Sequence, residues 1–148
     1  MTKTKILLLS LAIATVIGLM GFAGIQTLTQ QIYDARSCEW ANIDNIEMHA
    51  RIDIPETESC QCEYDEATHE KKAAFSLAAD LDVEAYARKN NLKPIAGDLP
   101  KHVATYAGIG TSEQDLFVRQ DSYQDGEHCE LLFDPSSRKL WVYLKYLD

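Results

Sequence analysis

Between Ile6 and Ile25 the chain has no charged residue, and the five residues before it contain no acid. That absence excludes an ordinary surface helix, which needs a polar face. Twenty helical residues span about 30 Å, the thickness of a bilayer's hydrocarbon core. Lys3 and Lys5 precede the run and no cation follows it closely, which predicts a cytoplasmic N-terminus and a body outside. No cysteine follows directly, so a bacterial lipoprotein anchor is excluded. Gly21 and Ala23 permit signal cleavage after Ala23, but the run outlasts a signal's apolar stretch and no proline breaks it. Leu28, Ile32 and Ala35 continue at helical spacing. An uncleaved anchor is favoured over a removed signal, and both place the remainder outside the cytoplasm, on the membrane or free in the periplasm or extracellular space.

Other absences narrow the function. There is no H-E-x-x-H or G-x-S-x-G, so these common hydrolase motifs are missing and no catalytic residue is assigned. There is no paired C-x-x-C step of a structural zinc site. No proline- or glycine-rich linker, repeat or low-complexity tract divides residues 26–148, which have the length of one domain. Basic residues are scarce: beyond Lys3 and Lys5, 12 Lys and Arg face 23 Asp and Glu, a charge of about −11. Such a body repels nucleic acid and anionic headgroups and favours a basic protein partner.

All four cysteines, Cys38, Cys60, Cys62 and Cys129, lie in the exported part. Outside the cytoplasm an even count predicts two disulfides. Cys60 and Cys62 share one face of a strand and are poorly placed to bond each other, so they pair outward with Cys38 and Cys129, in either arrangement. One bridge with two thiols, or a thiolate metal site, are the lesser alternatives.

Period-two alternation predicts strands over residues 47–54 (Met48, Ala50, Ile52, Ile54), 60–65 (Cys60, Cys62, Tyr64) and 72–79 (Ala73, Phe75, Leu77). Asp82 reads as the N-cap of a short helix with Val83, Tyr86 and Ala87 inward, ending at Asn90-Asn91. Residues 92–115 read as a long loop with a turn of helix. Strands follow over 116–123, 129–133 and 140–147, joined by Asp125-Gly126 and by a turn at Asp134-Pro135-Ser136-Ser137. The predicted fold is α+β: an N-terminal transmembrane or signal helix (1–25), a juxtamembrane stalk (26–46), and a domain (47–148) with about six mostly antiparallel strands and one packed helix.

His49 reads as a surface residue, and His69, His102 and His128 fall in or near turns with no ligand spacing, so no metal or cofactor is predicted. Asp121–Glu127 fails as a calcium loop because Tyr123 and Leu132 occupy ligand positions. Gly108–Ser112 lacks the remainder of a phosphate loop. The last strand is apolar on both faces, so it is either covered twice or exposes Trp141 and Tyr143. In the exposed case, acids such as Glu127, Glu130 and Asp134 ring an aromatic anchor suited to a basic partner. The leading reading is a non-enzymatic protein-binding domain, inhibitor- or immunity-like toward a basic envelope protein. The alternatives are an assembly component of an envelope complex, and a redox or metal protein using Cys60-Gln61-Cys62.

Overall fold

The computed structural model describes residues 13–22, 24, 40–110, 115–123 and 126–146. The chain divides into two compact units, Met1–Asp34 and Ala35–Asp148. In the first, residues 13–22 are helical (α1) and expose Ile13, Val16, Ile17, Leu19, Met20 and Phe22. No helix among the described residues is long and apolar enough to cross a membrane. The remainder of the uncharged run, apart from Gly24, lies outside them, as do the proposed stalk up to residue 39 and both Asp125 and Ser112.

The second unit is α+β. Its described elements are α2 (Trp40–Ala50), β1 (Thr57–Asp65), β2 (Glu70–Leu77), α3 (Val83–Lys89), β3 (Lys93–Pro94), α4 (Lys101–Ala107), β4 (Phe117–Ser122), β5 (His128–Asp134) and β6 (Lys139–Lys145). The strands form one antiparallel sheet in the order β1-β2-β6-β5-β4-β3.

The strand predicted over 47–54 is instead the end of α2 and an extended segment. Asn42, Ile46 and Ala50 are buried every fourth residue, the repeat of a helix. Met48, placed inward by the alternation, is 67% exposed. The period-two reading caught Ala50, Ile52 and Ile54 because a helix end and an extended segment bury them in succession. The folded body therefore includes residues assigned to the stalk. The cap at Asp82 forms as predicted, accepting from the Ala85 amide. Three helices end on a left-handed residue, Arg51, Asn91 and Gly108, and the next amide returns to the carbonyl five residues back: Ile52 to Glu47, Leu92 to Ala87, Ile109 to Ala104.

Two apolar layers cover the sheet. On one face, Phe75, Leu131, Phe133, Leu140, Val142 and Leu144 pack with Ile46 and Ala50 of α2 and with Tyr86 and Ala87 of α3. On the other, Leu132, Trp141 and Tyr143 pack with Val103 of α4 and with Leu116. Among the described residues three helices pack on the sheet instead of the predicted one, because residues 40–50 form α2 and residues 92–115 supply α4 and the short β3.

Arg119 on β4 joins the first layer to both of its helices. Its guanidinium donates to the carbonyls of Ala50 and Arg51 at the end of α2 and of Asn90 at the end of α3, while its Nε lies 2.7 Å from Asp121 Oδ2. One side chain thereby supplies donors to carbonyls that two helix termini leave over.

Candidate functional site

Of the two alternatives for the last strand the covered one holds, and the aromatic anchor of the other is interior. β6 lies between β2 and β5, and Trp141 and Tyr143 are 9% and 1% exposed beneath α4. Glu130 is 1% exposed, and Glu127 pairs with His49 at 2.8 Å. These four residues do not form a surface anchor. The correction follows from α4, whose short apolar pattern the sequence hides among glycines and prolines.

Cys62 is disulfide-bonded while Cys60 and Cys129 are thiols, so the two-bridge arrangements do not form and the alternative of one bridge with two thiols holds. Either predicted arrangement bonds Cys129 on β5 to a cysteine on β1. Two strands intervene, a separation of roughly 14 Å at about 4.8 Å per strand, whereas a bridge needs Cα atoms within about 7 Å. Burial pushes the Cys129 thiol up to about 12, so it is inert at neutral pH.

What the fold does assemble is a cluster that no local spacing announces. Alternation along β5 puts His128, Glu130 and Leu132 on the α4 face, with Glu130 opposite Tyr143 in register. α4 begins after Pro100, which offers no side-chain cap. Glu130 fills that role from β5: its Oε2 accepts the backbone amides of His102 and Val103 at 2.8 and 2.9 Å. The other oxygen, Oε1, lies 2.8 Å from His102 Nδ1 and 3.1 Å from His128 Nε2. An ionised carboxylate only accepts, so each ring nitrogen donates there, and His128 Nδ1, 3.1 Å from Ser122 Oγ, accepts the hydroxyl proton. Burial presses the Glu130 carboxyl upward, but the hydrogen bonds from His102, Val103 and His128 outweigh it and hold the group below the usual carboxylate range.

The imidazole of His102 stacks on Tyr143, with centroids 4.7 Å apart and planes 12° apart. Its side chain is 49% exposed. Beside it is a pocket of about 300 Å³ whose walls include Glu63, Glu70, Lys72, Tyr106 and Tyr143. Burial and the neighbouring Glu70 raise the Tyr143 hydroxyl above its ordinary range, so it remains a proton donor. The cluster therefore combines a fixed anionic acceptor with one half-exposed and one partly buried imidazole, a set suited to proton exchange or to ligation of a cation.

A second surface feature follows from the topology. Residues 52–70 hold seven carboxylates and no Lys or Arg, and span β1, the outermost strand on that side of the described sheet, with its flanking segments; Asp53 pairs with Lys89, and Glu70, on β2, with Lys72 and Lys145. Glu56, Glu58, Glu63, Asp65 and Glu66 are exposed. Two cations elsewhere are withdrawn from the surface. Lys71 is 3% exposed and donates to Asn42 and Asn45 at 3.2 Å each, and the Arg119 side chain is 10% exposed. Single histidines 26 residues apart and a strand-borne glutamate gave the sequence no common signature, and only the alternation of β5 placed His128 and Glu130 on one side. The chain matches no family profile, no curated protein and no solved structure.

Proposed function

We propose that this chain is a binding domain held or released outside the cytoplasm, with the uncharged residues 6–25 as its anchor or export signal and a basic envelope protein as its partner. The observation that carries the reading is the edge of the sheet, where Glu56, Glu58, Glu63, Asp65 and Glu66 are exposed on and beside β1. Such an edge steers a basic surface toward it and repels phosphate-rich ligands. The buried Trp141 and Tyr143 take no part, so the contact is electrostatic along β1 rather than built on an aromatic anchor. An inhibitor or immunity protein works in this way, by occluding its target without chemistry of its own.

A photo-reactive residue placed at Glu58 or Glu63 of the full-length chain in its native cells tests this, with Lys93 on the far edge as control. The reading requires capture of a Lys- and Arg-rich protein from the β1 positions, with yield falling at least tenfold between 50 and 300 mM salt on the order of the screening expected for exposed charges. Salt-insensitive capture, or capture only of acidic or cytoplasmic proteins, overturns it.

A second reading rests on α1, which exposes six large apolar side chains between Ile13 and Phe22. If that helix is an interaction element within the membrane, the protein is an assembly component of an envelope complex. Deleting residues 1–25 separates the two, because a soluble inhibitor keeps its activity and a scaffold loses it.

A further inference from the structure

We propose that His102, His128 and Glu130 form a site for one divalent transition-metal ion of the zinc class, with three protein ligands and an open coordination position. Their candidate donor atoms lie within 4.8 Å of one another. Glu130 Oε1 is 2.8 and 3.1 Å from the two ring nitrogens. Two donors on one zinc ion, each bonded at about 2.0–2.1 Å, are about 2.9–3.4 Å apart in octahedral or tetrahedral geometry. The two imidazoles are the wider pair, still within 4.8 Å of each other.

The surrounding groups act as the outer shell of such a site. Two backbone amides fix Oε2, which directs Oε1 alone toward both rings and makes the carboxylate a one-oxygen ligand. Tyr143 holds the plane of His102 by stacking, and Ser122 stands at the far nitrogen of His128. Two imidazoles and a carboxylate suit zinc, cobalt or nickel. They do not suit calcium or magnesium, which take oxygen ligands. Cys129 points to the opposite face of the sheet, so no thiolate joins the set.

Binding has a defined proton inventory. Without metal, His102 Nδ1 and His128 Nε2 carry the protons that Glu130 accepts. The ion takes those lone pairs, so in the neutral rings the protons move to His102 Nε2 and to His128 Nδ1, where Ser122 Oγ accepts. Any ring that is imidazolium beforehand releases one proton to solvent.

The test uses the full-length chain in detergent, stripped with EDTA and titrated with ZnCl2 by calorimetry and with CoCl2 by visible absorption. One ion per chain is expected, with the intense visible bands of low-coordinate Co²⁺ and a swap of both histidine tautomers in imidazole ¹⁵N spectra. His128→Ala and Glu130→Gln are expected to weaken zinc at least 100-fold, Ser122→Ala by roughly tenfold as for an outer-shell partner, and His49→Ala not at all. Should Glu130→Gln fail to fold, His102→Ala, altering a half-exposed side chain, carries the test. No saturable uptake by the wild type, unchanged affinity in His102→Ala, or uptake without tautomer exchange overturns the proposal.

Discussion

Lys71 is a lysine in the interior, 3% exposed. Its ammonium is buried against two asparagine oxygens, and desolvation lowers it from 10.5 to about 8. Below pH 8 it is protonated in both folded and unfolded chains, so the burial penalty is fully present. Between pH 8 and 10.5 the folded chain gives up the proton while the unfolded chain keeps it, so this group's contribution to stability rises, by roughly 3 kcal/mol. The Cys129 thiol acts oppositely, because above its ordinary 9.0 only the unfolded chain ionises until about 12. Lys71→Met isolates the lysine. In urea unfolding, the stability of wild type minus variant should climb across pH 8–10.5, and a flat difference would refute the assignment. Asp82 is simpler: Asp82→Ala removes the cap of α3 and should cost about 1 kcal/mol in the same assay.

At the scale of elements, Arg119 and β6 hold the layers together. Arg119→Lys keeps the charge but not the fork that reaches three carbonyls on two helices, and a loss of roughly 2–3 kcal/mol is expected by chemical denaturation. Trp141→Ala should destabilise by about 3–5 kcal/mol, as for a packed core aromatic. A drop in partner binding at unchanged stability would instead restore Trp141 as a surface anchor. Elements whose burial follows one period were legible in the sequence: Ala73, Phe75 and Leu77 gave β2, Cys62 and Tyr64 gave β1, and Asp82 with Tyr86 and Ala87 gave α3. α2 was not, because Ala50, Ile52 and Ile54 mimic alternation across a helix end. α4 was not, because Val103 and Ala104 alone mark its buried side, flanked by Pro100 and Gly108.

Across the whole molecule, the class of fold was readable while the candidate centre was not, since His102 and Glu130 meet only after a helix and a strand pack. The two-bridge reading of the cysteines failed for the same reason, leaving the one-bridge alternative: the number of cysteines is local information, whereas the distance between β1 and β5 belongs to the assembled sheet. Leu131, fully buried at the middle of that sheet, measures how far packing carries the whole, and Leu131→Ala should cost about 2–5 kcal/mol with an unchanged denaturant slope. Position in the strand order has a kinetic corollary. The hairpin β1–β2 and the pair β4–β5 can each form early, but they share no ladder until β6 slides between them. Closure of the 61-residue interval from Leu77 to Lys139 is therefore the entropic bottleneck of folding. Val142→Ala should slow refolding in a stopped-flow chevron, whereas Cys60→Ser on the outer strand should leave that limb untouched and act, if at all, on the rate of unfolding.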